Sequence, residues 1–173
     1  MAKIFANGIV QNFEISGTGE PIVFIHGLGL DLQMWNHQIE YFSKYYKVLA
    51  YDLRGHGQSS VPEEVYSLEL FSQDLSSLMI GLKISPAIVC GLSLGGRIGL
   101  RFALDYPEMT VSLILADTQS EVYAEGRERF LAIANVAENS GMSIAAEKLY
   151  STPLFEGLSE ADSSRFMYER KKT

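Results

Sequence analysis

Residues 88–100 read IVCGLSLGGRIGL, and within them Gly91-Leu92-Ser93-Leu94-Gly95 has the spacing G-x-S-x-G. An apolar run precedes this serine and a helical pattern follows it, which is the setting of a nucleophile on a sharp strand-to-helix turn. Such a turn lifts the hydroxyl clear of a sheet, and it is too tight for large residues two places before or after. The helix behind the serine aims backbone N–H groups and its positive dipole end at any oxyanion that forms. The competing reading is a glycine-rich turn without chemistry. The flanking strand and helix patterns favour the nucleophile.

A serine hydroxyl attacks poorly at neutral pH unless a base, usually a histidine held by a carboxylate, takes its proton. The three histidines, His26, His37 and His56, all precede Ser93. His26 in "FIHGLG" reads as a ring that holds its own loop, His37 as a surface residue and His56 in "RGHGQS" as a structural turn residue. Their scatter offers no metal-ligand spacing, and no metal or cofactor is expected. For the acid, Asp117 is the one well-placed candidate, because it follows "LILA" at the strand end where open α/β sheets bind ligands. A helix cap or turn residue in "ADTQSE" is the alternative for the same aspartate.

The elements that must position these groups follow from the apolar pattern. "IVFI" (22–25), "VLAY" (48–51), "AIVC" (87–90) and "LILA" (113–116) are short continuous apolar runs suited to strands covered on both faces. "IVQNFEIS" (9–16) alternates loosely before the turn "GTGEP" and predicts an edge strand. Between the runs, Asp31 can cap a helix with Met34, Trp35, Ile39 and Phe42 on one face, and Ser67 can cap another containing Phe71, Leu75, Leu78 and Met79. A third helix runs over 94–106 and stops at Pro107. This alternation predicts an α/β fold with a doubly wound, mostly parallel sheet over residues 1–120. After Asp117 only helical patterns remain, around 121–138, 143–150 and 159–171.

The bulk composition narrows the setting. The 173 residues carry 14 Lys and Arg against 21 Asp and Glu, a net charge of -7, which argues against nucleic acid or an anionic membrane as partner. Cys90 is the single cysteine, so no intrachain disulfide is possible, and the N-terminus lacks a basic start with an apolar core. No apolar run approaches ~20 residues. A cytoplasmic setting is the expectation.

Three landmarks now stand in order: "FIHGLG", "YDLRGHGQS" (51–59) and "GLSLGG" (91–96). In order and spacing they resemble the α/β-hydrolase fold family, through about residue 120. "HGLGLDLQMW", "YDLRGHGQSS" and "LILADT" look most like 3-oxoadipate enol-lactonases and nearby small-ester esterases. Similar strings occur in haloperoxidase-like and carbon–carbon-bond-cleaving members. The resemblance implies an oxyanion hole made by the backbone N–H groups of Leu28 and Leu94, with Ser93 attacking a small ester or lactone. It also implies the chain order serine, acid, histidine, so the triad histidine, and in most members the acid, would lie beyond these residues. On this reading the chain is a C-terminally truncated, N-terminal portion of the fold. Residues 121–173 are then a helical cap segment whose Phe130, Leu131 and Ile133 roof the substrate pocket.

Such a chain is expected to turn over little or no ester by itself. Its strand at 112–116 would present a bare edge able to bind a complementary C-terminal fragment or a second copy. Two rivals stand beside the hydrolase: a non-catalytic fragment or binding module with the same fold, and perhydrolase or carbon–carbon hydrolase chemistry at the same site.

Overall fold

A computed structural model describes residues 1–152. Six strands form one sheet in the order β1-β2-β4-β3-β5-β6. They are β1 (Ala2–Ala6), β2 (Ile9–Ser16), β3 (Pro21–Ile25), β4 (Lys47–Tyr51), β5 (Ala87–Leu92) and β6 (Thr110–Ala116). The first two are antiparallel to their neighbours, while β4, β3, β5 and β6 run parallel. The expectation of a doubly wound, mostly parallel sheet holds.

Period-two alternation in the central strands explains why the sheet is covered twice. Val23, Ile25, Leu49, Tyr51 and Val89 face one core with Leu75, Leu78, Met79, Ile98 and Phe102. These last five come from α2 (Leu68–Leu82) and α3 (Leu94–Asp105). Ile22, Phe24, Val48, Ala50 and Cys90 face the other core, with Leu32, Trp35 and Ile39. Burial raises the Cys90 thiol to a pKa of about 11. Ser67 caps α2 by accepting the Leu70 N–H at 3.2 Å. Asp31 also caps as expected, accepting from Gln33 N–H at 2.9 Å, but the helix it starts is a 3-10 turn over Leu32–Trp35 before α1 (Asn36–Phe42).

Two strand expectations are corrected. The strand 9–16 is not the edge: Ala2–Ala6 pairs outside it through a two-residue hairpin. Asn7 and Gly8, with φ of 49° and 78°, close that hairpin, and Asn-Gly favours this left-handed geometry. At the other end, β6 is not covered on both faces. Its edge position is the one expected for 112–116, with β5 its one partner among the described residues, but Val111, Ile114 and Leu115 are each between 43% and 50% exposed.

The chain divides into two compact units, Met1–Ser120 and a second from Glu121 onward. In the second, α4 (Ala124–Ser140) carries exposed Phe130 and Leu131, and α5 (Met142–Tyr150) buries Ala145, Ala146, Leu149 and Tyr150. The helix expected at 159–171 lies outside the described residues. No helix among the described residues is long and apolar enough to cross a membrane.

Candidate active site

Ser93 stands alone between the end of β5 and the start of α3, with φ 50° and ψ -110°. A non-glycine residue held there carries strain on the order of 1–3 kcal/mol, so the surroundings must hold it firmly. Three hydrogen bonds do so. The Ser93 N–H donates to the Ala116 carbonyl at 3.0 Å, the Thr118 hydroxyl donates to the Ser93 carbonyl at 2.7 Å, and Arg97 N–H donates to that carbonyl at 3.1 Å. The side chain is exposed.

The flanking glycines are fixed by close backbone approach. A Cβ on Gly91 would lie 2.2 Å from the Gly95 carbonyl oxygen, and one on Gly95 would lie 2.2 Å from the Ile25 carbonyl oxygen and 2.8 Å from that of His26. The first turn of α3 is therefore pressed against the loop that leaves β3. Leu28, 41% exposed, sits on that loop, where Leu30 N–H closes a turn onto the Gly27 carbonyl at 3.3 Å. The structure thus brings the elements carrying Ser93, Leu94 and Leu28 together at the C-terminal end of the parallel strands. A tetrahedral oxyanion is stabilised by backbone N–H groups converging from two such elements, and this arrangement can supply them.

Asp117 follows β6 with φ 41°, exposed, at the same end of the sheet as the Ser93–Ala116 hydrogen bond. It is not a helix cap, since the next helix is preceded by Tyr123. Among the described residues no hydrogen bond ties its carboxylate to another group.

The histidines take other places. His26 is fully buried and uses both ring nitrogens on backbone: Nδ1–H donates to the Gly27 carbonyl at 2.8 Å, and Nε2 accepts from Leu53 N–H at 3.0 Å. It anchors the loop and cannot take a proton from a serine without breaking that anchorage. His37 is exposed on α1. His56 donates Nδ1–H to the Arg54 carbonyl at 3.0 Å and packs its ring 5.2 Å from that of His26. Burial holds its pKa below the usual imidazole value.

Sequence reasoning missed the polar groups beneath the site. Asp52, almost fully buried, accepts three hydrogen bonds at 2.8 Å, from Leu32 N–H, Asn12 Nδ2 and Gln58 N–H. Arg54 donates Nε and Nη2 to the two oxygens of Asp74 at 2.8 and 2.6 Å and also pairs with Glu64. The Asp74 carboxylate raises the Arg54 pKa still further. Asn7 Nδ2 reaches Asp74 at 2.6 Å, which ties the β1–β2 hairpin to α2. One signal was readable in the sequence: Asp74 is a charge on the apolar face that includes Phe71, Leu75 and Leu78.

Residues 20–142 match the family described as alpha/beta hydrolase fold. The chain is 35% identical over 119 residues to 3-oxoadipate enol-lactonase 2 of Acinetobacter baylyi, a match covering 68% of this chain and 45% of that protein. Among solved structures, the enol-lactonase of Burkholderia xenovorans superposes with a TM-score of 0.90 at 30% identity, covering 99% of this chain and 66% of that one. A thermophilic esterase from Thermogutta terrifontis gives 0.85 at 29% identity, covering 99% of this chain and 65% of that one. The chain thus spans less than two-thirds of the length of each.

Proposed function

Because the chain belongs to the α/β-hydrolase fold family, we propose that Ser93 is the nucleophile of a serine hydrolase acting on a small carboxylic ester or lactone. In the proposed reaction the Ser93 oxygen attacks the acyl carbon while a base takes its proton. The carbonyl oxygen becomes an oxyanion held by the Leu28 and Leu94 N–H groups. Collapse of that intermediate breaks the ester C–O bond, the alkoxide leaves with the proton, and water then releases the acyl group from the serine. In a lactone both halves stay in one product. No cofactor takes part in this scheme.

The observation that carries the reading is the strained Ser93 backbone, held where Gly95 presses the start of α3 onto the Ile25 carbonyl. The lactonase and esterase relatives support the substrate class. Since no histidine follows Ser93 in these residues and His26 is spent on backbone, the base is proposed to be a histidine supplied from outside them. Asp117 is the candidate within them for the carboxylate that orients it. Residues from Glu121 onward are read as the cap segment of such a hydrolase, and the lone, buried Cys90 fits a cytoplasmic setting.

The test is reaction of the purified chain with an aryl phosphonate followed by peptide mass spectrometry. A slow, stoichiometric adduct on Ser93 that vanishes in Ser93→Ala is expected. Ester turnover should be weak, because an oxyanion hole and binding without a full triad retain only about 10³–10⁴-fold catalysis over water. Absence of an adduct, or an adduct elsewhere, would favour the second reading, a binding module that keeps the fold without the chemistry.

A further inference from the structure

We propose that Asp52 is a positioning residue for the oxyanion loop: its carboxylate fixes the far end of the loop that carries Leu28 and so sets where the Leu28 N–H points. The inference rests on the reading of Leu28 as an oxyanion donor.

The loop between β3 and the 3-10 turn at Leu32 is gripped at both ends by two consecutive residues of one neighbouring strand end. At the near end, Leu53 N–H donates to His26 Nε2 at 3.0 Å, and His26 passes the constraint on through Nδ1–H to the Gly27 carbonyl at 2.8 Å. At the far end, Leu32 N–H donates to Asp52 Oδ1 at 2.8 Å. Residues 52 and 53 follow directly on β4, whose Tyr51 is buried and lies in register with Phe13 and Ile25 on its two neighbours. The clamp is therefore mounted on the interior of the sheet.

The residue type suits the task. Three donors converge on this one side chain: Leu32 N–H on Oδ1, and Asn12 Nδ2 and Gln58 N–H on Oδ2. An ionised carboxylate is acceptor-only and can meet all three, whereas an asparagine would turn its own N–H groups toward at least one donor. Asp52 has little freedom to move away, because a Cβ on Gly57 would fall 2.3 Å from Oδ2. Opposite the clamp, the loop is braced by the first turn of α3 through Gly95. Leu28 is left between two fixed ends and one fixed wall. That degree of definition matters to a group aimed at a developing charge, where a misplacement of about 1 Å can lower a rate by ~10²-fold.

The experiment compares the 173-residue chain with Asp52→Asn and Asn12→Ala. The first disturbs the bond to Leu32, and the second removes a different bond from the same carboxylate while leaving the loop end alone. Two quantities are read at a temperature where all are folded: the rate of phosphonate labelling at Ser93, and hydrogen–deuterium exchange of the peptide spanning 27–32. Asp52→Asn should slow labelling roughly tenfold and raise exchange of that peptide by a similar factor, on the order expected when an oxyanion donor is misdirected but not deleted. Asn12→Ala should leave labelling within about twofold, even if it lowers stability as much. Should Asp52→Asn not fold, Gly57→Ala displaces the carboxylate sterically and carries the same expectation. Equal labelling rates in Asp52→Asn and Asn12→Ala would overturn the proposal. If the wild-type chain takes no label at all, the hydrolase reading fails, and exchange at 27–32 decides the clamp separately: unchanged exchange in Asp52→Asn overturns it.

Discussion

The turns that follow β4 and β5 leave the same end of the sheet and are built from opposite materials. After β5 the chain doubles back with backbone against backbone, Gly91 on the Gly95 carbonyl and Gly95 on the Ile25 carbonyl. After β4 the turn is filled with polar side chains. Asp52 accepts three hydrogen bonds, the Ser59 hydroxyl donates to the Asp52 carbonyl at 2.7 Å and accepts from Asn12 N–H at 3.0 Å, and Arg54 grips Asp74. The first turn has no room for an added atom, and the second has no spare partner for a removed one. Steric exclusion and polar satisfaction thus reach the same rigidity, and they should fail in different ways.

The largest effect is expected where an atom is added. Gly95→Ala puts a methyl group 2.2 Å from a main-chain oxygen of a central strand, which cannot move aside. A loss of about 5 kcal/mol or more is expected, enough to leave the chain unfolded, as read by urea denaturation. A near-native urea midpoint for this variant would break the contrast at once. Next comes a removal. Asp74→Ala leaves the buried Arg54 guanidinium with only the exposed Glu64 as carboxylate partner, and taking the buried partner from such an ion pair destabilises by about 3–5 kcal/mol. The double variant Arg54→Met/Asp74→Leu should recover most of that loss, because no buried charge is then left and Glu64, which loses its partner, is exposed to solvent. A single variant as stable as wild type would mean that the second turn is not held by its polar partners.

Smaller effects sharpen the distinction. Ser93→Gly relieves a left-handed non-glycine backbone and should stabilise the chain by about 1 kcal/mol while abolishing phosphonate labelling. A destabilised Ser93→Gly would show that the turn is not strained at the serine. The smallest effect belongs to His56, whose folded-state pKa lies below that of the unfolded chain. Between those two values the unfolded state binds more protons. His56 therefore contributes stability that is complete above about pH 6.5 and is lost as the pH falls toward its folded value. His56→Gln should flatten that slope in urea midpoints measured across pH 5–7.5, and an unchanged slope would assign the acid sensitivity elsewhere.

What could be read from the sequence follows the same division. The β5 turn was legible because its determinants lie within five residues, Gly91 to Gly95. The central strands were legible because burial on both faces writes a continuous apolar run. β1 was missed although Asn7-Gly8 announced its hairpin, since the alternation of Ala2–Ala6 is weak. The polar turn was illegible because its partners are far apart in the chain: Asp52 with Asn12 and Leu32, and Arg54 with Asp74. No spacing rule connects such residues before the sheet is assembled. The same holds for Asp117, whose place at a strand end was readable and whose left-handed backbone was not.

The hydrogen bonds from Ser93 N–H to Ala116 and from Thr118 to Ser93 have a further consequence. The turn that presents the serine is fastened not only to the central strand β3 through Gly95 but also to residues at and just after the end of β6, the edge strand among the described residues. Rim strands open first in local fluctuations, and groups bonded to them share the free energy of that opening. Fraying of β6 would therefore loosen two of the hydrogen bonds that hold the Ser93 backbone. Stabilising that strand would hold the Ser93 backbone more firmly without touching a single atom of the turn itself.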